Sequence, residues 1–339
     1  MGRKVLGLEI NSGEIKLALV KNGGHPSVLY CETIPAPKLT GAALSDDDTE
    51  IMSTALAVKE VVSREAKTMR GVDSVALCLS DQQTVVRYMS LPALGKKELL
   101  AAVEYELSQS FPGVGKTHSI SFKEYSRTNK QVTGIASFSP KKSLEAYRKL
   151  IEQLDFKYSY IDVLANSQAK AVHMVLNTPR SETVLVCDIS PASSHYIVIM
   201  GRQVMHSRQV PEGHRQVKEL ATATLGRDSI YDSITSPDAD ESYIQKDELM
   251  EIISAAYSGV EEQLRQTIEF YNMDNRDTPP VSRVLLTGSG SFFPGLEGYL
   301  SSNIGIPVSV VNPGAKTKAA DAKTFAVCLS AIGAAIRED

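Results

Sequence analysis

The sequence predicts an α/β protein of two lobes, with an α+β subdomain inserted in the first. Two observations carry this. An apolar strand ending in an acidic residue, then a small-residue turn and two further strands, occurs twice, over residues 4–34 and 183–210. Between the copies, residues 93–160 read as helix, strand, strand, helix and strand, a compact unit of its own. Recurrence of one supersecondary plan argues for two lobes built alike, and 339 residues are enough for two cores.

Residues 4–20, KVLGLEINSGEIKLALV, hold two apolar runs around Asn11-Ser12-Gly13-Glu14, a β-hairpin signal. A third strand over 27–34 is ended by Pro35 and Pro37. The run Asp46-Asp47-Asp48, in the polar loop 39–49, reads as solvated, helix-capping carboxylates rather than a metal site. Helical spacing covers 51–69, with Gly71 beyond its end, and strands follow at 74–80 and 85–91, the latter stopped by Pro92. In the insert, a helix over 96–111 precedes strands 119–125 and 131–138, a helix 141–154 and a strand 157–163. The segment Gly113-Val114-Gly115-Lys116-Thr117 ends like a P-loop, but Ser110 stands where the first glycine belongs and a helix precedes it.

A helix over 162–175 leads to the second copy: strand 183–188 ending in Asp188, a turn over 189–194, and strands 196–200 and 204–210. Helices at 215–225 and 246–271 are joined by an acidic, Ser-rich link, 228–247, read as a solvated loop. A strand over 282–287 ends at Gly288-Ser289-Gly290-Ser291. A helix 294–301, a strand 308–311 and a small-residue helix 324–337, suited to close packing, follow.

A net charge of −4 argues against a nucleic-acid-binding surface, and the lack of Trp against a stacking platform for bases. No apolar run can span a bilayer and the first residues are not a signal peptide, so the expectation is a soluble cytoplasmic chain that meets a membrane only through a partner. Cys31, Cys78, Cys187 and Cys328 lie far apart in apolar runs without zinc spacing, as reduced buried thiols do. His195, His206 and His214 lack metal spacing and read as packing or surface residues.

Three strand-to-turn junctions, 9–13, 188–194 and 287–291, carry small residues. Small side chains let backbone N–H groups approach a phosphate, Lys16 adds a point charge, and two strand-end acids, Glu9 and Asp188, can hold Mg²⁺ through water. Each junction alone reads as a plain turn. Two hairpins facing across a cleft, with a Gly-rich turn beside them, are a way to hold a nucleotide.

On these residues the chain resembles the actin-like ATPase superfamily (actin, Hsp70, sugar kinases, FtsA), with its ribonuclease H-like fold, and within it the PilM family of type IV pilus assembly. LGLEINSGEIKLALV (6–20) is similar to the first phosphate motif, CDISPASSHYIVI (187–199) to the second and LLTGSGSFFPGL (285–296) to the adenosine motif. EYELSQSFPG (104–113), SLEAYRKLIEQLDFKYSYIDVLANSQAKAV (143–172), EEQLRQTIEFY (261–271) and FAVCLSAIGAAIR (325–337) are more specific to PilM. The resemblance spans nearly the whole chain.

The resemblance implies a first core of 1–92 with 161–181, an insert of 93–160, a second core of 182–212 with 281–339, and a helical subdomain of 213–280. The last helix would pack back on the first core. It also implies ATP with Mg²⁺ between the lobes. Lys16 would face the β-phosphate, and Glu9 and Asp188 would hold the Mg²⁺ through water, with Asp188 near the attacking water. Asn11, Ser12, Gly13, Ser190 and Ser193 would line the phosphate turns. Gly288, Ser289 and Gly290 would back the adenine or ribose, and Gly213 lies in a turn similar to a PGG type. Arg265 would reach the base or ribose, or lie on a solvated helix face. The implied partner is the cytoplasmic N-terminal tail of a PilN-type bitopic membrane protein, bound beside the insert. Such a chain is a cytoplasmic adaptor at the inner membrane that meets pilus motor or platform components and can self-associate; a type II secretion system is the related setting.

The chain departs from the family's DIGSSSIK at Glu9, Asn11 and Glu14. Glu9 reaches one methylene further than Asp, Asn11 replaces Gly at a conformational cost of about 1 kcal/mol, and Glu14 brings a negative charge to the phosphate turn. Pro191 removes an N–H from the second motif, and Ser289 replaces the middle residue of a GGG turn. Together these imply weak nucleotide binding or none, and at most a weak ATPase. Two rivals share the fold. An active ATPase or small-molecule kinase would keep Asp and Gly in both loops. A cell-division scaffold of the FtsA kind is expected to add a C-terminal amphipathic membrane helix after the stretch that here ends in Arg337-Glu338-Asp339.

Overall fold

The computed structural model describes residues 2–37, 39, 44–80, 83–225, 246–313 and 321–337. The first sheet grows from the N-terminal hairpin. β1 (Lys4–Ile10) pairs antiparallel with β2 (Glu14–Lys21), with Glu9 opposite Lys16. Gly13 closes the turn at φ +127°, a conformation that side-chain-bearing residues rarely adopt. β3 (Ser27–Pro35) pairs with β2, while β4 (Ser74–Leu79) and β8 (Tyr158–Val163) run parallel to β1, giving the order β3-β2-β1-β4-β8. The second sheet repeats the plan with β9 (Thr183–Ile189), β10 (Ser194–Met200), β11 (Gln203–Val210), β12 (Val281–Thr287) and β13 (Val308–Val310), in the order β11-β10-β9-β12-β13. Each sheet thus begins with an antiparallel meander and ends in two parallel strands, as the repeated sequence plan implied.

A third sheet, β5-β7-β6, belongs to the insert. Both expected ends of the insert shift. β5 (Val85–Pro92) was expected in the first core, but it pairs with β7 (Gln131–Pro140) from Val85 opposite Phe138 to Pro92 opposite Gln131. β8, expected to close the insert, pairs with β4 in the first sheet. Apolar alternation identifies a strand but not its partner, and hydrogen-bond pairing decides the boundary. β6 (His118–Arg127) completes this sheet, and α2 (Lys96–Ser110) covers it through Leu99, Val103 and Leu107. The P-loop-like segment forms α3 (Val114–Thr117), a single turn after Gly113.

The outer face of the first sheet is covered by α1 (Asp48–Arg64) and α4 (Lys141–Leu154). α1 starts before the expected residue 51 because the Asp47 side chain accepts hydrogen bonds from the Thr49 and Glu50 N–H groups, 2.9 and 3.0 Å away. Asp46 and Asp48 pair with Lys149 of α4, so the acidic run caps and ties helices. α7 (Lys246–Asp274) and α8 (Leu296–Ile304) cover the outer face of the second sheet, and α6 (Arg215–Leu225) precedes them. The acidic link expected over 228–247 lies, through residue 245, outside the described residues.

One core joins the two sheets. It is built on α5 (Leu164–Met174), α9 (Ala322–Val327) and α10 (Leu329–Ala335), against Val5, Ala18 and Ala76 of the first sheet and Val184, Val186 and Ile197 of the second. The helix expected from 162 starts at 164, because Asp162 and Val163 still pair with Cys78 and Leu79 of β4. The helix expected over 324–337 breaks at Cys328. Its small residues do allow close packing: a Cβ on Gly333 would lie 1.8 Å from the Ser167 carbonyl oxygen, and one on Gly7 1.9 Å from that of Ala331. All four cysteines are free and buried. Among the described residues, no helix is long and apolar enough to cross a membrane.

Gly333→Ala should therefore force α10 away from α5 and cost about 1–3 kcal/mol. Gly298→Ala, in α8 with nothing within 4 Å of its added methyl, should be neutral or stabilising by about 0.5 kcal/mol. Urea midpoints check both, and equal midpoints for Gly333→Ala and the wild type would contradict this packing.

Candidate functional site

The turn of β1–β2, the turn of β9–β10 and the end of β12 meet between the lobes, and the residues there form one buried ion cluster. Lys16 has no solvent exposure. Its Nζ lies 3.1 Å from Glu9 Oε2 and 3.6 Å from Glu14 Oε1, and donates to Ser190 Oγ at 3.4 Å. Ser190 Oγ in turn donates to Asp188 Oδ1 at 2.9 Å, and Gln168 Nε2 of α5 donates to Asp188 Oδ2 at 2.5 Å. Ser330 of α10 donates to Glu9. Register explains the meeting: Glu9 and Lys16 are direct cross-strand partners at the end of the first hairpin, and Asp188 holds the equivalent place on β9.

Burial opposes the charge on Lys16, but Asp188, Glu9 and Glu14 outweigh it and hold the ammonium well above its usual range. Burial pushes the Glu14 carboxyl up against the pull of Lys16. A second set of contacts crosses the cleft around this centre. Ser289 Oγ donates to Glu14 Oε1 at 3.2 Å and is hydrogen-bonded to His214 Nε2 at 2.9 Å. Arg215 Nη2 donates to Ser12 Oγ at 3.1 Å. Burial lowers the His214 imidazole to about 4, and lowers that of His195, whose Nε2 lies 3.5 Å from Ser193 Oγ.

The structure brings together Glu9, Asn11, Ser12, Gly13, Lys16, Asp188, Ser190, Ser193, Gly213, Gly288, Ser289 and Gly290, but packs the glycines against protein. A Cβ on Gly288, at φ +85°, would lie 2.6 Å from Asp188 Oδ1, and one on Gly290 2.6 Å from His214 Cβ. One on Gly213 would meet Ser190 O at 2.3 Å. Pro191 lies over Gly13. The Ser190 N–H is bonded to the Ser193 carbonyl, and that of Asn11 to Glu14. Arg265 stands apart from the cluster: it donates to Glu261 at 2.7 Å and to the Asn303 carbonyl at 3.3 Å.

These observations test the fit to Mg²⁺ and a nucleotide. Lys16 already has its counter-ions, Glu9 and Asp188 are hydrogen-bonded to protein, and three carboxylates surround one lysine. As placed, these residues do not fit the group, since Lys16 meets carboxylates where a phosphate would lie. Asn11 does not carry the strain expected of it: among the described residues other than glycine, a positive φ occurs only at Asp155 and Asn177. Gln168 and Ser330 escaped the sequence reading; Ser330 had a signal, as the lone polar residue of the small and apolar stretch Leu329–Ala335, whereas Gln168 is one of four polar residues within 164–172.

A second candidate site lies beside the insert. Ser119, Ser121 and Lys123 of β6 stand opposite Ser139, Ser137 and Ile135 of β7 and line one wall of a cavity of about 390 Å³. Leu144 and Arg148 of α4, and Ile161 and Asp162 of β8, form the other walls. Asp162 is fixed by Lys170 Nζ at 2.8 Å and by Asn166 and Ser167. Burial pushes its carboxyl up, but Lys170 and these donors hold it below its usual range. Lys123 Nζ donates to Asn166 Oδ1 at 2.9 Å. The β6–β7 wall is hydroxyl-rich with Lys123 at one end, a lining that can hydrogen-bond an extended peptide.

The chain as a whole is similar to known proteins. The model of a family described as type IV pilus assembly protein PilM matches residues 7–338. No curated protein matches the chain. Among solved structures, a PilM-PilN type IV pilus biogenesis complex is similar over 98% of this chain and 99% of that one, at 19% identity and a TM-score of 0.77. The ethanolamine utilization protein EutJ from Carboxydothermus hydrogenoformans is similar over 98% of this chain and 88% of its own, at 12% identity and a TM-score of 0.56. MreB5 of Spiroplasma citri bound to ADP is similar over 97% and 94%, at 11% identity and a TM-score of 0.52. At these identities the likeness establishes the actin-like two-lobed fold.

His214 offers a test of the cross-lobe contacts. With a folded value of about 4 against 6.5 in the unfolded chain, the unfolded state binds the extra proton between those values. His214 therefore stabilises the fold fully above pH 6.5 and loses that contribution as pH falls toward 4, with a slope of at most about 1.4 kcal/mol per pH unit. His214→Gln should flatten the fall of the urea midpoint across this window; an unchanged slope would place His214 in solvent.

Proposed function

The chain belongs to the PilM family of type IV pilus assembly proteins, and from that membership we propose that it is an assembly scaffold whose ligand is a peptide rather than a nucleotide. The partner is the cytoplasmic N-terminal tail of a PilN-type membrane protein, and the site is the cavity between the insert and the first sheet. The observation that supports this most is the cavity itself: it opens at the junction that the insert creates, and its walls carry serine hydroxyls, Lys123 and Arg148 for a peptide backbone and Leu144 and Ile161 for an apolar side chain. Through that tail the protein is held at the inner membrane and passes contacts on to the pilus motor or platform.

ATP with Mg²⁺, implied by the resemblance, has no part in this reading. An active ATPase or kinase would need a carboxylate free to order water at a metal, whereas Glu9 and Asp188 are engaged by Ser330, Lys16, Gln168 and Ser190. The two-lobed fold then serves as a rigid frame for the groove.

Isothermal titration with a synthetic peptide of a PilN-type N-terminal tail tests the proposal. Ser137→Arg and Ser121→Arg place a bulky side chain in the groove and should each weaken the peptide at least tenfold, about 1.4 kcal/mol, while the melting temperature holds. Binding unchanged in both variants would move the partner elsewhere.

A further inference from the structure

The cleft between the lobes carries an inference that is independent of the peptide partner. We propose that this chain is held closed by its own ion cluster, with the Lys16 ammonium serving as a built-in structural cation, so that closure of the lobes needs no nucleotide.

Three observations meet here. The first is the position of Lys16. It belongs to the first sheet, yet its ammonium reaches Ser190 on the second, and through Ser190 the carboxylate of Asp188. Glu9 and Glu14 complete its surroundings from its own hairpin. A phosphate entering this place would have to displace a buried ion pair and leave carboxylates without their counter-ion, which is strongly unfavourable.

The second is charge. Glu9, Glu14 and Asp188 stand around the single ammonium of Lys16, so a triphosphate would enter beside buried acidic groups rather than free cations. Arg215, the cation at the rim, is turned to Ser12.

The third is the set of contacts across the cleft. Gly13 faces Pro191, Ser12 is bonded to Arg215, and Glu14 is bonded to Ser289, which also meets His214. Two residues of the first hairpin, Ser12 and Glu14, therefore bond to separate elements of the second lobe, and Gly13 between them faces Pro191. Glu14, a departure from the family's serine, makes the innermost of these contacts and is also a counter-ion of Lys16. A letter that spoils a phosphate turn is the one that fastens the cleft.

Thermal unfolding of the full chain tests this. The wild type should melt at the same temperature, within about 1 °C, with and without millimolar Mg-ATP or Mg-ADP, because a ligand that binds only the folded state must raise it. Lys16→Met, which keeps the length of the side chain and removes its charge, should lower the melting temperature by about 5 °C or more and open interlobe segments to limited proteolysis. Lys16→Met with Glu14→Gln should recover part of that loss, since it removes one stranded carboxylate. A clear rise of the wild-type melting temperature with Mg-ATP overturns the proposal, as does a Lys16→Met protein that melts like the wild type. Should Lys16→Met fail to fold, the nucleotide measurement on the wild type still decides. Titration of the PilN-type peptide reads the other site and separates failure of that reading from failure of this one.

Discussion

A lysine without solvent must find its counter-charges inside the chain, and that requirement organises the centre of this molecule. Lys16 is fully buried, so the elements that carry its partners have to converge on one point. Glu9 comes from β1, Glu14 from the start of β2, and Ser190 with Asp188 from the second lobe. Gln168 and Ser330 fasten the two strand-end carboxylates to the helices of the shared core. A buried ion cluster of this kind contributes modestly to net stability but strongly penalises any arrangement that leaves a member unpaired. It therefore specifies how the two sheets face each other more than it adds to the depth of the fold.

The apolar core works to the same end from behind. α5 is buried on every side, and α10 lies close enough to β1 and α5 that Gly7 and Gly333 have no room for a side chain. Close packing on shared helices fixes the spacing of the two sheets in this structure. The polar cluster at the strand ends and the small-residue packing beneath them act on the same degree of freedom, the angle between the lobes.

The insert introduces a different kind of surface. Its sheet is anchored by a compact core of Val103, Leu107, Val132 and Phe138, and its other face turns a row of serines toward β8 and α4. Hydroxyls on a rigid sheet wall offer hydrogen bonds without a charge to be neutralised, which suits recognition of a peptide backbone. At the cleft between the lobes the side chains of Glu9, Lys16, Asp188 and Ser190 meet one another, whereas the serine wall of the insert lines a cavity.

Much of this was legible in the letters. The duplicated strand plan and the residues that gather at the cleft follow from local patterns: apolar runs, strand-end acids and small-residue turns set the hairpins, and the registers that pair Glu9 with Lys16 follow from the length of one turn. Three things needed the tertiary structure. The side to which β5 and β8 belong depends on strand pairing, to which an apolar run is indifferent. The roles of Gln168 and Ser330 depend on two helices meeting two strands far away in sequence. Whether Lys16 faces a phosphate or three carboxylates is a matter of charges brought together from both lobes, since the sign of a site is a sum over space and no single segment contains it.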